Sequence, residues 1–283
     1  MKILITGSEG FIGRHLATEL RGVGHSVKGV DIKDAGGRVN ITDPRQVFLH
    51  VDQFKPSVIV HLAEIDHHEV MQTIRENVGG SAVVAKLAGE LGIRMVIGSS
   101  GSIYPPSPKA LEYQTAHAPK DIFSLTKLWA EQVAEAYAPR GFTSLRFQNV
   151  YGPDLNPERL PILGVMWSAY KGQPVLTPDT AYQWCWIGDA VRAARMVIDS
   201  GEGLYNIAGS EELEHMYNVA KMACHAADAD PSLIEVMRST TPTTLLSTNR
   251  LRRLGWKPEF SLEEGIEKTI ETWRMSEAEV VTA

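Results

Sequence analysis

The feature that most constrains this chain is the run Gly7-Ser8-Glu9-Gly10-Phe11-Ile12-Gly13. It follows the apolar stretch Lys2-Ile3-Leu4-Ile5-Thr6 and opens a segment with Ile12, Leu16, Ala17 and Leu20 at helical spacing. Between a strand and a helix, each glycine meets a separate steric demand. Gly7 permits the tight turn, Gly10 lets backbone approach a pyrophosphate, and Gly13 lets the helix pack close to the strand. The helix N-terminus then faces the phosphates, where free N–H groups and the helix dipole favour negative charge. Glycines serving only a tight turn are the competing reading, and the strand–turn–helix context weighs against it. Asp31 closes a second β-rich run, Ser26 to Val30, eighteen positions beyond Gly13. A carboxylate there accepts hydrogen bonds from adenosine ribose hydroxyls and repels a 2′-phosphate, which favours NAD over NADP. Lys33 and Arg38 nearby soften that exclusion.

The following chain alternates short apolar runs with longer helical patterns. Val58-Ile59-Val60-His61-Leu62, Arg94-Met95-Val96-Ile97-Gly98 and Thr143 to Phe147 read as strands, with helices expected over Pro44 to Gln53, Thr73 to Leu91 and Asp121 to Tyr137. Continuous apolar strands are buried on both faces, so the pattern predicts a doubly wound α/β fold with a parallel sheet between helical layers. After Tyr151-Gly152-Pro153 the pattern breaks at prolines 153, 157, 161, 174 and 178. Helices are expected near 158–171, 188–200, 214–227 and 261–275, and a strand at Leu204-Tyr205-Asn206-Ile207. This suggests a dinucleotide-binding Rossmann domain over 1–152 and a smaller substrate lobe over 153–283 that returns at least one strand to the main sheet. Ligands in such sheets sit beyond the carboxyl ends of the strands, so the substrate site is expected in the cleft.

Composition excludes several classes. Basic residues are scattered in a chain of net charge −6, which argues against a nucleic-acid surface. No apolar run reaches the length of a membrane span. With two cysteines, Cys185 and Cys224, a disulfide framework is not expected and a reducing cytoplasm is the default. No His or Cys spacing suggests a metal site.

Further motifs carry a resemblance. His61-Leu62-Ala63-Glu64, Asn77-Val78-Gly79-Gly80, Ser99-Ser100-Gly101-Ser102-Ile103-Tyr104 and Arg146-Phe147-Gln148-Asn149-Val150-Tyr151-Gly152-Pro153 occur in order. Leu254-Gly255-Trp256-Lys257-Pro258 follows, with Ser261-Leu262-Glu263-Glu264-Gly265-Ile266 near the end. With the glycine turn and Asp31, nearly the whole chain resembles the extended short-chain dehydrogenase/reductase family, in its NAD-dependent epimerase/dehydratase branch acting on nucleotide sugars. The resemblance implies NAD contacts from Gly7, Gly10, Phe11, Ile12, Gly13, Asp31, Ile32, Asn40, Ile41, Leu62, Ala63, Glu64, Asn77, Lys127 and Val150. It also implies a homodimer through the helices near 73–91 and 121–137.

That family carries Tyr-x-x-x-Lys on the helix after the strand at 94–98. Spacing i, i+4 sets both side chains on one helix face. Lys holds the nicotinamide ribose and lowers the Tyr pKa, and the phenol exchanges a proton with the substrate hydroxyl while hydride moves. Here the segment reads Phe123-Ser124-Leu125-Thr126-Lys127, with Ser100 at the family's serine position. The resemblance places Ser100, Phe123 and Lys127 at the catalytic positions, but a phenyl ring has no proton to give. Three readings stay open: an engineered Tyr-to-Phe replacement, an atypical enzyme using Tyr104, Glu64, His67, His68 or a water on Ser100, or an NAD-binding regulator without turnover. Tyr113 is followed by Gln114, Thr115, Ala116 and His117, with no Lys, so a shifted alignment does not recover the pair. Glu64 replaces a small residue and reads first as a helix-capping acid, second as a proton acceptor.

On the substrate side the resemblance points to Ser100, Ser102 and Asn149. Tyr182 stands where an Arg usually clamps the diphosphate, and a phenol does not replace its bidentate fork. Tyr182, Trp184 and Trp186 read as core packing first and as an apolar substrate pocket second. The sequence therefore predicts an epimerase/dehydratase-type oxidoreductase on a nucleotide sugar or related hydroxylated metabolite, with a ketoreductase as the alternative enzyme.

Overall fold

In the computed structural model, residues 1–34, 37–65, 69–138, 140–153, 156–238 and 242–282 are described. The strands β1 (Lys2–Thr6), β2 (Ser26–Val30), β3 (Val58–His61), β4 (Arg94–Ser100), β5 (Thr143–Phe147) and β6 (Gly203–Ile207) form one sheet. Their spatial order is β6-β5-β4-β3-β1-β2, and every pairing is parallel. The expected return strand is thus β6, laid beside β5.

Among the described residues, the longer helices are α1 (Phe11–Gly22), α2 (Pro44–Phe54), α3 (Gly80–Leu91), α4 (Ile122–Tyr137), α5 (Pro161–Tyr170), α6 (Ile187–Ser200), α7 (Met216–Ala227) and α8 (Leu262–Thr282), of which α1, α2, α3, α4 and α6 pack on the sheet. Alternation along each strand divides the core. Ile3, Ile5, Val58, Val60 and Val96 meet α1 and α6, while Leu4, Ile59, Met95 and Ile97 meet α2, α3 and α4. Burying each such side chain contributes roughly 1.5–3 kcal/mol, which is why these strands are apolar on consecutive residues. A separate cluster joins α5, α7 and α8 around Tyr151, Val175 and Trp184. No described helix is long and apolar enough to cross a membrane. Cys185 and Cys224 are both buried free thiols.

Element boundaries differ from the sequence reading where side chains act on backbone. The helix expected from Thr73 begins earlier, at Val70, because Glu69 caps it by accepting from Met71 N at 3.0 Å. It widens into a π-helical turn over Ile74–Gly79 before continuing as α3. Asp121 is the cap of α4, accepting from Ser124 N at 2.7 Å. β4 runs to Ser100 because that residue still pairs with Phe147 of β5.

The registers Thr6↔His61, His61↔Ile97 and Ser100↔Phe147 bring the carboxyl ends of the strands to one rim. The chain passes from β1 outward to β2 and then returns to place β3 on the other side of β1. That reversal opens a crevice at the ends of β1 and β3, the place where sheets of this kind bind ligands.

Candidate functional site

The crevice is walled by backbone. Gly7 leaves β1 with φ +75°, and a Cβ there would lie 2.6 Å from Ala63 N and 2.7 Å from the Leu62 carbonyl carbon. Only glycine lets β1 and β3 end this close together. A Cβ on Gly13 would overlap the Gly7 carbonyl oxygen and come within 3.0 Å of Ser8 Cα, so α1 starts pressed against the turn. Gly10 is its N-cap, with no side-chain cap on the first-turn N–H groups. Phe11 and Ile12 are half-buried just inside that terminus, and Phe11 approaches the position of Gly152.

Asp31 lies buried at the end of β2 and ties this loop down. Its carboxylate accepts from Glu9 N at 3.0 Å and Lys33 N at 2.8 Å, and an ionised carboxylate has further lone pairs for ribose hydroxyls. Ile32 is exposed beside it. Asn40 Oδ1 accepts from Thr42 N at 2.9 Å, and Ile41 is buried where Gly80 leaves room for it. Close backbone approach, an uncapped helix terminus and a carboxylate on the neighbouring strand together fit a dinucleotide, pyrophosphate at α1 and adenosine ribose at Asp31.

The segment Leu62-Ala63-Glu64 carries the wall toward α4. Asn77, brought inward by the π-helical turn, accepts from Ile65 N at 2.8 Å and donates to Ile65 O at 2.8 Å and Thr126 Oγ1 at 3.2 Å. This clamp holds Glu64 against α4, where its carboxylate pairs with Lys127. Glu64 is therefore not the capping acid it resembles in sequence; Glu69 has that role. Lys127 Nζ also donates to Gly98 O at 3.0 Å and lies 5.6 Å from the centre of the Phe123 ring. Burial pushes the Lys127 ammonium down to about 7, with Glu131 opposing.

Ser100, at the end of β4, accepts from Ser102 N at 3.1 Å and Ser102 Oγ at 2.9 Å. Val150 is buried in the core behind the rim, and Asn149 has φ +40° with its amide donating to Gln183 O at 2.9 Å. The structure thus gathers the glycine turn, Asp31, residues 62–64, Ser100 and Lys127 at one rim. Val150 and the Asn149 amide are occupied in packing and backbone bonding. His67 and His68 lie outside the described residues.

Sequence reasoning missed a buried network behind this rim. Arg146 donates from Nε to Glu131 Oε1 at 2.9 Å, from Nη2 to Glu131 Oε2 at 2.7 Å, from Nη1 to Glu112 O at 3.0 Å, and to the Tyr104 hydroxyl. Burial works to raise the Glu131 carboxyl, but the guanidinium holds it below its usual range. Tyr104 is pushed up to about 12 by burial, and its hydroxyl also donates to Asn206 Oδ1 at 3.2 Å. His61 is buried between Thr6 Oγ1 at 2.6 Å and Ser81 Oγ at 3.0 Å, and burial, with the Lys127 charge, pushes it down to about 3. The sequence signal for this network was a charged residue, Arg146, inside a strand otherwise made of buried residues.

Farther out, Tyr182, Trp184, Trp186 and Phe260, with Glu212 and Glu214, line a cavity of about 300 Å³. Tyr182 and Trp184 ring centres are 5.3 Å apart, and Tyr151 meets Trp186 edge-on at 5.5 Å. No Lys, Arg or His is among the described residues lining it.

Comparison with known proteins follows the same outline. Residues 3–208 match the model of the NAD dependent epimerase/dehydratase family. The dTDP-glucose 4,6-dehydratase of Salmonella typhimurium is 26% identical over 346 residues, covering 99% of this chain and 94% of that protein. The UDP-glucose 4-epimerase of Mycolicibacterium smegmatis is 27% identical over 313 residues, covering 97% and 99%. The crystal structure of the Thermus thermophilus UDP-glucose 4-epimerase in complex with NAD superposes with a TM-score of 0.85 at 24% identity, covering 97% of this chain and 99% of that one. At that identity the likeness establishes the shared fold.

Proposed function

The chain belongs to the NAD dependent epimerase/dehydratase family and takes NAD as its cofactor, and from that premise we propose that it oxidises or reduces a hydroxyl-bearing carbon of a nucleotide sugar or a related hydroxylated metabolite. The observation that carries this reading is the contiguous path from Gly7 through Ala63 and Glu64 to Lys127. It joins the pyrophosphate end of the crevice to the helix that bears Lys127.

The turn at Gly7, Gly10 and Gly13 binds the pyrophosphate with the N–H groups that open α1. Asp31 accepts from the adenosine ribose and disfavours a 2′-phosphate. Lys127, fixed by Gly98 O, reaches the nicotinamide ribose. Bound NAD supplies a hydride acceptor, and its reduced form a donor. Ser100 Oγ, already oriented by Ser102, bonds the reacting substrate oxygen. Phe123 occupies the position at which the family has its phenol, so the proton must be handled by another group.

One observation favours a second reading. The aromatic cavity with Tyr182 in place of an arginine, and with acidic rather than basic neighbours, suits an uncharged ketone better than a diphosphate. The test is chromatographic conversion of UDP-glucose and dTDP-glucose, and NADH absorbance with a panel of uncharged ketones and alcohols, for the chain as it stands and for Phe123→Tyr. Turnover of a nucleotide sugar, raised by the restored phenol, supports the first reading. Turnover confined to uncharged ketones supports the second. Tight NAD binding without turnover in either chain would instead identify a regulator.

A further inference from the structure

Once the phenyl of Phe123 is set beside Lys127, the rim has one polar group too few for alcohol chemistry and one carboxylate the family pattern does not explain. We propose that Glu64, held against Lys127 at the end of β3, is the acid/base residue of this site; this rests on the oxidoreductase reading above.

Among the described residues, His61, Tyr104, Glu131 and Lys127 are committed elsewhere. Both ring nitrogens of His61 are bonded, to Thr6 and Ser81, inside the core. The Tyr104 hydroxyl is buried between Arg146 and Asn206. Both Glu131 oxygens are taken by Arg146. Lys127 is 9% exposed and engages Gly98 O and Glu64. Glu64 differs from all of these, because its side chain is 32% exposed while its carboxylate rests on the buried ammonium. Of the pair, the carboxylate is the more exposed half.

Its position is fixed by backbone. Ser100 ends β4 three residues past Ile97, and Glu64 stands three residues past its partner His61, in the segment that follows β3. The Asn77 clamp on Ile65 fixes the segment on its far side. The ammonium that in the family steadies a phenol here contacts a carboxylate and holds it in place. In the oxidative direction the substrate O–H proton passes to a Glu64 oxygen, the carbinol C–H bond breaks with its electron pair leaving as hydride to the nicotinamide ring, and the C=O bond forms. Reduction runs the same transfers backwards, with Glu64 returning the proton.

The experiment compares the chain as it stands with Glu64→Gln, Glu64→Ala, Phe123→Tyr and the double variant Glu64→Gln/Phe123→Tyr. Turnover is followed as chromatographic conversion of UDP-glucose and dTDP-glucose, with NADH absorbance recorded alongside. Independently, the Lys127 Cε resonance is titrated by carbon NMR in the protein without substrate, assigned through Lys127→Arg. Glu64→Gln should lower turnover by about 10²- to 10⁴-fold, formate should restore part of it to Glu64→Ala, and Phe123→Tyr should restore it to Glu64→Gln. The Lys127 midpoint should fall by more than one pH unit in Glu64→Gln. Unchanged turnover in Glu64→Gln, or a double variant as inactive as Glu64→Gln, overturns the role of Glu64 and leaves the oxidoreductase reading standing. An unmoved Lys127 midpoint overturns the pairing on which the role rests. Silence of both the unaltered chain and Phe123→Tyr overturns the oxidoreductase reading, and this role with it.

Discussion

Replacing Gly7 by alanine perturbs the crevice through two separable costs. The first is conformational: Gly7 has φ +75°, and an L-residue in the left-handed region loses about 1–2 kcal/mol. The second is spatial, because the new Cβ would stand 2.6 Å from Ala63 N and 2.7 Å from the Leu62 carbonyl carbon, both backbone atoms. Ordinary contact requires the end of β3 to retreat by roughly 1 Å, and such overpacking costs about 1–3 kcal/mol. Gly24 provides the matched control, since it has φ +88° and nothing within 4 Å of its missing Cβ. Gly24→Ala should therefore lose about 1–2 kcal/mol, and Gly7→Ala about 2–5 kcal/mol. The shift also misplaces the turn against the α1 terminus, where about 1–2 kcal/mol of anion interaction is at stake, or roughly 5- to 30-fold in the Kd for NAD. Urea unfolding gives the stabilities and calorimetric titration the affinities. If Gly7→Ala unfolds and binds NAD as Gly24→Ala does, the close approach of β1 and β3 is not what shapes the site.

Three other outcomes are expected. Asp31→Asn keeps the shape but removes the charge, so the ratio of NADP to NAD affinity should rise by at least several-fold; an unchanged ratio would show that Asp31 does not select the cofactor. Glu131→Gln strands the Arg146 charge in a pair exposed by only 1% and 6%, at a cost of about 3–5 kcal/mol, whereas Glu90→Gln breaks an exposed Lys86 pair at about 0.5 kcal/mol or less; equal losses in urea unfolding would contradict this. His61 titrates at about 3 in the fold against 6.5 unfolded, so the unfolded chain alone takes up the proton between those values. Stability from this group is complete above pH 6.5 and falls as pH drops toward 3, by at most about 1.4 kcal/mol per pH unit. A His61→Asn chain that shows the same acid slope would remove His61 as its source.

What could be read from sequence was what local rules determine. The glycine turn and the apolar strands each follow from steric or burial demands of neighbouring residues, and the structure has them. Glu64 was misread because its partner sits 63 positions away on another helix, and no local pattern distinguishes a capping acid from an ion-pair partner. The early helix start at Val70 escaped notice because Glu69 resembles any surface acid. The Asn77 clamp depends on a π-helical turn whose extra residue has no signature in residue type. Tyr104 looked available as a proton donor from its position after Ser100, yet its hydroxyl is bound by Arg146, a residue forty-two positions later.

The central claim is that the crevice between the ends of β1 and β3 is an NAD site. The most direct test is calorimetric titration of the purified, cofactor-stripped chain with NAD and, separately, with NADP. The structure predicts one NAD per chain, with NADP bound at least tenfold more weakly because of the Asp31 carboxylate. Absence of saturable NAD binding by the folded chain would contradict the account.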